Sequence, residues 1–171
     1  MIQLIDGYGQ LGTKLKELLQ KIPKHLHDED VLIYHTWNID DKSAYSQKKE
    51  YDKFIDFVDF NIDKKIIFIS TYSQKENFYN HYKQLATAYL ISNCKKGLVI
   101  KLPTIIGKGV CREIKNKDIK AYGQMELITL THAAKSILDL IMYDGLLKVI
   151  NIDGEKIQAK LVEAIIHEIK I

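Results

Sequence analysis

The chain has 171 residues, of which 46% are apolar and 27% are charged, with 25 Lys and Arg against 22 Asp and Glu. This size and composition are typical of one globular domain and exclude a disordered, collagen-like or coiled-coil protein. The net charge of +3 arises without a basic cluster, so we expect no nucleic-acid partner. Because no apolar run reaches the length of a membrane span, we expect a cytoplasmic protein without membrane contact.

Apolar runs alternate with helical periodicities along the whole chain. In chain order the pattern predicts a strand at 2–6, a helix at 11–21, strand 31–37, helix 51–60, strand 66–71, helix 78–92, strand 97–102, helix 128–143, strand 149–152 and helix 158–169. This alternation predicts a three-layer α/β fold with a mainly parallel sheet. No repeat or low-complexity segment interrupts it, so we expect a single domain over 1–171.

A glycine motif, Gly7-Tyr8-Gly9-Gln10-Leu11-Gly12, follows the first strand and opens the first helix. Glycines let the backbone turn tightly and approach a pyrophosphate, whose charge is met by the N–H groups of the helix start. The motif therefore predicts a phosphate or dinucleotide contact, and the alternative is a turn that simply requires glycine. An acidic residue that would hold a ribose is not assigned: Asp28 and Asp30 precede a strand, and Asp40 and Asp41 lie further along.

A second pattern places Tyr79 and Lys83 four residues apart on a predicted helix, shortly after a strand that ends in Ser70-Thr71. This spacing puts the phenol and the ammonium on one helix face. A neighbouring ammonium lowers the pKa of a tyrosine, which can then exchange a proton near neutral pH, while a strand-end hydroxyl orients the substrate oxygen. The alternative is that the tyrosine packs in the core and the lysine is a solvated stem.

Other candidate ligands are weaker. His25, His27 and His35 lie on a linker and a strand without a pattern for a fourth ligand, so we expect solvated or core histidines and no metal site. Trp37-Asn38 ends a strand at the edge of the sheet where open α/β folds bind ligands. Two interpretations of this tryptophan are open: it contacts a ligand, or it caps the core. The two cysteines lack metal-site spacing and predict neither zinc nor a disulfide framework.

Taken in serial order, these segments resemble the short-chain dehydrogenase/reductase superfamily, in particular its extended branch of NAD-dependent epimerases, dehydratases and dTDP-4-dehydrorhamnose reductase. IDGYGQLGTKL is similar to the cofactor turn of that branch, and DVLIYHTWN to the strand that usually reads DVVIHLAA. FYNHYKQLATAYL is similar to its Tyr-x-x-x-Lys helix, and GLVIKLPTIIGKG to the segment that is commonly RLPNVYGPG.

The resemblance implies a Rossmann-like domain, NAD or NADP as cofactor, a nucleotide-sugar substrate and a homodimer formed through the helices at about 47–61 and 78–92. It also implies residue roles. Thr71, or else Ser70, would be the substrate-orienting hydroxyl, Tyr79 the acid/base, and Lys83 the lysine that binds the ribose and lowers the tyrosine pKa. The cofactor pyrophosphate would be lined by Gly7, Tyr8, Gly9, Gln10, Leu11 and Gly12.

The sequence departs from this branch in three places. Asp6 takes the position of the first family glycine, and its carboxylate would repel a pyrophosphate unless it points away. The first helix leads directly into what resembles the fourth strand, so one or two strands of the adenine-binding half are predicted to be missing. In the alternative register, 31–37 is the second strand. Thr71 and Tyr79 are only eight positions apart, where the family has a dozen or more.

Three functions are compatible with these features. The first is a compact NAD(P)-dependent reductase or epimerase acting on a nucleotide-linked sugar, in surface polysaccharide biosynthesis if the Lys- and Ile-rich composition reflects a microbial source. The second is a non-catalytic binding or scaffold protein that keeps the sheet without full dinucleotide binding. The third is a sensor of a small ligand or mononucleotide that uses the glycine turn alone.

Overall fold

A computed structural model describes residues 1–22, 30–71, 73, 75–107, 109–118 and 120–168. The predictions that concern Pro23, His25, His27 and Asp28 lie outside these residues. In chain order the elements are β1 (Ile2–Ile5), α1 (Gly9–Leu19), β2 (Val31–Tyr34), α2 (Ala44–Phe60), β3 (Lys65–Thr71), α3 (Phe78–Asn93), β4 (Gly97–Leu102), β5 (Thr104–Ile105), α4 (Val110–Lys115), β6 (Gln124–Ile128), α5 (Leu130–Asp139), β7 (Val149–Asn151), β8 (Glu155–Gln158) and α6 (Ala159–Glu168).

The strands of the described residues form two sheets. The main sheet is parallel throughout, with the order β1-β2-β3-β4-β7, and the smaller one has the order β5-β6-β8. In the main sheet Ile5 pairs with Tyr34, and Tyr34 with Phe68. This arrangement confirms the predicted Rossmann-like fold with a mainly parallel sheet. Among the described residues no strand pairs with the outer edge of β1, where the second and third strands of a complete dinucleotide-binding sheet would lie.

Each face of the main sheet has its own core. On one face α1 and α5 pack over the strands through Leu15, Ala133 and Ile137. On the other face α2 and α3 do so through Phe54 and Leu90. β3 contributes apolar side chains to both cores, which explains why its sequence is a continuous apolar run instead of an alternating one.

The connection from β1 to β2 has an unusual hand. The steps from β1 to β2, β2 to β3 and β3 to β4 all move in the same direction across a parallel sheet. However, α1 lies on the opposite face from α2 and α3, so its crossover must have the opposite hand to theirs. Since such crossovers are right-handed in nearly all proteins, the α2 and α3 connections are right-handed and the α1 connection is left-handed.

The missing strands explain this left-handed crossover. In a complete fold the chain passes from β1 to a strand on the other side of β1 from the one that β2 occupies here. For a connection in that direction, a helix on the face of α1 gives the ordinary right-handed crossover. Removing the second and third strands leaves α1 in place and joins it to the strand on the other side of β1. If 31–37 were instead the second strand of the family, the left-handed crossover would have no explanation, because a strand that follows α1 directly would normally be reached by a right-handed connection.

Close packing of glycines fixes α1 on its face. A Cβ atom at Gly12 would lie 2.5 Å from the carbonyl carbon of Gly7, so the first turn of α1 rests directly on the end of the β1 turn. A side chain at Gly9 would meet open space, although its backbone φ of +72° is in the left-handed region. The two glycines are therefore required for different reasons, one for contact and the other for conformation.

Several element boundaries differ from those predicted. α2 begins at Ala44 instead of residue 51, because Ser43 caps it by accepting a hydrogen bond from the Ser46 N–H and its first turns are polar. The smaller sheet was not predicted, since its strands are only two, five and four residues long. As a result the helix predicted at 128–143 is confined to α5, and the one at 158–169 begins only after β8. In the described part of the chain no helix is long and apolar enough to cross a membrane.

The roles of the two glycines can be separated by substitution. We expect Gly12→Ala to lower the free energy of unfolding by about 2–3 kcal/mol, because the added methyl group overlaps backbone. Gly9→Ala should cost about 1–2 kcal/mol, the strain of a left-handed conformation without a clash. Urea unfolding of the two variants measures both values, and a milder loss for Gly12→Ala would contradict the packing argument.

Candidate functional site

The glycine turn joins β1 to α1 through two residues with left-handed backbone. Asp6 has φ of +52° and Gly9 has φ of +72°. Aspartate is one of the few residues with a side chain that tolerates this region, which accounts for its occurrence where the resembling family has glycine. The Asp6 side chain is exposed at the turn.

The amino end of α1 has no side-chain cap. Tyr8 is its N-cap residue, and its side chain makes no capping hydrogen bond. The ammonium of Lys16 lies 5.2 Å from the centre of the Tyr8 ring, and the stem of Lys16 lies against Gly7. A helix start with this cation beside it is suited to an anion. The turn also touches a second loop, because the Gln10 side chain contacts Gly107.

Lys83, one of the predicted catalytic residues, is enclosed by aromatic side chains. Its side chain is buried, and its ammonium donates a hydrogen bond of 2.7 Å to the carbonyl oxygen of Ile69 in β3. The Nζ atom also lies 4.6 Å from the centre of the Phe68 ring and 4.9 Å from that of Trp37. Burial lowers the pKa of Lys83 to about 7, while the carbonyl and the aromatic faces favour the charged form.

Tyr79 lies beside Lys83 but is not activated by it in this conformation. The lysine Nζ is 5.9 Å from the centre of the tyrosine ring, and burial raises the pKa of Tyr79 to about 12. This shift is opposite in direction to the one that the Tyr-x-x-x-Lys spacing suggests. Its cause is desolvation, which penalises the phenolate and is not offset by a contact with the ammonium.

The two candidate hydroxyl groups lie on different faces of β3. Ser70 follows the alternation of Ile66 and Phe68 and is directed toward α3, whereas Thr71 falls on the face of α1. Ser70 is buried, and Thr71 is half-buried and accepts a hydrogen bond of 3.2 Å from the Ser73 N–H. Ser70 therefore shares a face with Tyr79 and Lys83, and Thr71 is at the end of the strand.

His35 lies between the glycine turn and α3, the helix that bears Tyr79 and Lys83. Its Nε2 atom is 2.7 Å from the position of a Cβ at Gly12, and it is buried without a hydrogen-bond partner among the described residues. Burial lowers the pKa of His35 to about 4, and the charge of Lys83 contributes to the shift. The residues that the structure describes contain no group of side chains suited to a metal ion. His35 thus connects the two predicted motifs in one place.

Trp37 is held in the core by a residue that the sequence did not single out. Its ring packs against Phe54 and Phe68, and its indole N–H donates a hydrogen bond of 2.7 Å to Gln47. Gln47 is fully buried and also donates to the carbonyl oxygens of Asn38 and Asp41. In this conformation Trp37 therefore caps the core. Gln47 was not predicted as a core residue, because it lies in a polar stretch without apolar periodicity.

No protein-family signature and no curated protein sequence matches the chain. Solved structures do match. A dTDP-4-dehydrorhamnose reductase ortholog from Clostridium acetobutylicum has a TM-score of 0.70 at 14% identity, covering 96% of this chain and 78% of that one. A UDP-N-acetylglucosamine 4-epimerase from Bacillus cereus has a TM-score of 0.69 at 15% identity, with coverage of 95% and 81%.

A third match is the Bordetella bronchiseptica enzyme WbmH in complex with NAD+, with a TM-score of 0.70 at 11% identity and coverage of 95% and 78%. At these identities the likenesses show the fold alone. They confirm the predicted resemblance to the extended, nucleotide-sugar branch at the level of the fold. They also agree with a shortened chain, because nearly all of it aligns to only part of each of these structures.

The buried amine of Lys83 should make stability depend on pH. The pKa of Lys83 is about 7 in the folded state, and that of a lysine in an unfolded chain is about 10.4. Between these two pH values the folded state therefore binds fewer protons than the unfolded state. The free energy of unfolding should therefore rise with pH in this window, by at most about 1.4 kcal/mol per pH unit from this group.

This contribution should disappear in Lys83→Met, which keeps the length of the side chain. Urea unfolding of both proteins at several pH values between 7 and 9 measures it. Other groups that titrate in this range, such as the two cysteines, are present in both proteins and cancel in the difference. If the two slopes are equal, Lys83 is solvated in solution and the closed site is wrong.

Proposed function

We propose that the chain is a compact NAD(P)-dependent reductase or epimerase that acts on a nucleotide-linked sugar, with residues 1–171 working as one domain. The observation that carries this proposal is the position of His35. It contacts Gly12 of the glycine turn and lies close enough to Lys83 to feel its charge. This proximity supports a single site that includes the turn suited to a pyrophosphate and the helix that bears Tyr79 and Lys83.

In this proposal the pyrophosphate of the cofactor binds at the start of α1. The residues that would line it are Gly7, Tyr8, Gly9, Gln10, Leu11 and Gly12. The uncapped helix start and the Lys16 ammonium fit that group, whereas the Asp6 carboxylate opposes it. Among the described residues no strand covers the outer edge of β1 where the adenine would lie, so affinity would depend on the pyrophosphate and on the nicotinamide half.

The chemistry would take place at Tyr79. Its hydroxyl would exchange a proton with a hydroxyl or carbonyl of the sugar, and Ser70 or Thr71 would orient that oxygen. A bound nicotinamide would supply or accept the hydride at the same carbon. Lys83 would bind the ribose and hold its positive charge near the phenol.

The proposal requires the site to open. Lys83 is covered by the ring of Trp37 and bonded to Ile69, so a ribose can reach the ammonium only if the ring moves aside. Opening would also hydrate Tyr79 and bring its pKa down from about 12 toward the ordinary tyrosine value of about 10, from which a closer approach of the Lys83 ammonium would lower it further. We therefore propose that cofactor binding and activation of Tyr79 are one coupled event.

The fold comparisons support the substrate class. One neighbour is an NAD complex of WbmG that also contains UDP, and another is a UDP-N-acetylglucosamine 4-epimerase in complex with UDP-N-acetylmuramic acid. These ligands were bound by those proteins, and the chemistry that UDP and UDP-N-acetylmuramic acid share is a nucleoside diphosphate. A place in surface polysaccharide biosynthesis and a cytoplasmic location are part of the same proposal.

A non-catalytic binding or scaffold protein is the second candidate. The closed contact among Lys83, Trp37 and Ile69 favours it, because these groups satisfy one another without a ligand. In such a protein the sheet and helices would persist, and the glycine turn would serve packing alone.

We also propose a symmetric homodimer formed through α2 and α3. The two helices pack side by side, with the rings of Tyr51 and Tyr82 5.8 Å apart, and both present exposed apolar side chains such as Tyr45 and Leu85. Light scattering at micromolar concentration should give twice the chain mass, and Leu85→Lys should shift it toward the monomer. A monomeric mass for the unmodified protein would contradict this proposal.

Dinucleotide binding is the decisive test of function. Trp37 is the only tryptophan, so its fluorescence should change when NADP or NAD displaces it from Lys83. Calorimetry should give sub-millimolar affinity for one of the two. Asp6→Asn should tighten binding roughly fivefold, or about 1 kcal/mol, because it removes a like charge and keeps a residue that tolerates left-handed backbone. Gly9→Asp, which adds a charge to the same turn, should abolish binding.

Turnover then separates the two candidates. With nucleotide sugars as substrates, Tyr79→Phe should lower kcat by at least about a hundredfold and leave the dinucleotide affinity unchanged. If the dinucleotide binds but no sugar nucleotide is converted, the cofactor site stands and the nucleotide-sugar substrate class is wrong; the scaffold candidate is favoured only when no dinucleotide binds. If neither dinucleotide binds at millimolar concentration and the two turn variants are indistinguishable, the dehydrogenase proposal is wrong.

A further inference from the structure

The amino end of the main sheet carries a continuous surface that the proposed function does not use. It consists of three turns that lead into β3, β4 and β7, at residues 60–65, 93–97 and 141–148, and we call it the amino-edge surface. The candidate site lies at the opposite, carboxyl end of the strands. The two regions are therefore separated by the full length of the sheet.

Hydrogen bonds and an ion pair from side chains hold the three turns together. The Cys94 thiol lies 3.5 Å from the carbonyl oxygen of Lys64, which joins the first turn to the second. Lys65 donates to the carbonyl oxygen of Tyr143, at 2.8 Å, and to the Asp144 carboxylate, which joins the first to the third. Lys148 donates to the carbonyl oxygen of Lys95, which joins the third to the second.

The charge of this surface is positive. Its three turns contain five lysines, Lys64, Lys65, Lys95, Lys96 and Lys148, against two aspartates, Asp63 and Asp144. Four of the lysines line a cavity of about 310 Å³ whose lining includes a single carboxylate, that of Asp144. Although the chain as a whole is nearly neutral, this end of the sheet thus forms a local basic pocket.

Large apolar side chains project from the same turns. Leu146 is 98% exposed, Phe60 is 85% exposed, and Leu147 and Met142 are each more than 60% exposed. Single exposed apolar residues are common, but a group of them around a basic pocket is a feature of surfaces that contact a partner. Leu146 follows Gly145 in the third turn, and it is the most exposed of these side chains.

We infer that the amino-edge surface docks onto an anionic lipid surface, with the exposed Lys95 and Lys96 at the phosphate headgroups and the Leu146 turn inserted among the upper acyl chains. Lysines beside exposed leucines are the combination that an anionic bilayer attracts, since each cation near the surface and each buried methylene adds to binding. A second copy of this chain would present the same positive charge and be repelled. Docking would leave the glycine turn and Tyr79 facing away from the lipid.

This inference departs from the sequence-based expectation of no membrane contact. That expectation came from the absence of a long apolar run and from lysines that are spread along the chain. The fold gathers lysines from three distant segments at one edge of the sheet, which no local pattern in the sequence reveals.

Vesicle flotation with the full chain tests the inference. Vesicles of phosphatidylcholine with roughly a third of phosphatidylglycerol should bind the protein, and pure phosphatidylcholine should not. Lys95→Gln with Lys96→Gln should weaken the partition by on the order of tenfold or more, and Leu146→Ser should weaken it severalfold. The matched controls are Lys156→Gln with Lys160→Gln, which removes the same charge from β8 and α6, and Leu161→Ser, which removes an exposed leucine from α6.

Each outcome decides the question. Equal binding to both kinds of vesicle, no binding to either, or equal losses in the control variants would overturn the inference. Calorimetry with inorganic pyrophosphate forms a second arm. If pyrophosphate binds in a Lys95-dependent manner while vesicles do not bind, the pocket holds a free phosphate compound. The phosphate that it recognises is then not that of a lipid headgroup, and the inference is overturned. Circular dichroism confirms that every variant is folded, and none of the altered residues belongs to the proposed catalytic site.

Discussion

The contact between Gly12 and Gly7 is the constraint on which the arrangement of the chain depends. It presses α1 onto the end of β1, so that the helix must remain on its own face of the sheet. Since the next strand now pairs with the other side of β1, the connection takes the rare left-handed form. In the shortened fold the local geometry of the turn is therefore retained, and the topology of the connection is unusual. Local packing that excludes even a methyl group is costly to change, whereas a change in the length of a connection costs little free energy.

The same loss exposes one edge of the sheet and changes what a ligand can gain. A dinucleotide bound at the turn would have no second and third strands against its adenine. Its contacts with the pyrophosphate and with Lys83 would then have to supply the affinity. They would also have to displace Trp37, which is fixed by Gln47 and packed on Phe68. If the open state is a small fraction of the population, the apparent affinity falls by that fraction.

The sequence predicted the parts of this structure that arise from local patterns. The glycine turn, the buried strand β3 and the helix with Tyr79 and Lys83 follow from spacing and apolar runs, and the absence of strands follows from the order of the segments. Gln47 and His35 were not predicted as site residues, because their roles arise from contacts across the sheet. The direction of the Tyr79 pKa shift was also not accessible, since spacing on a helix cannot reveal whether a group is desolvated.

Burial of Lys83 leaves the closed site ready to open. The ammonium has a carbonyl bond and aromatic faces, which together compensate its removal from water only in part, because its pKa is lowered to about 7. A ligand that offers hydroxyl groups and an adjacent negative charge would improve on these partners and favour the charged form. The energy for moving Trp37 can therefore come from the lysine itself. Anionic, hydroxyl-rich ligands are then selected over neutral ones, independently of any contact with an adenine.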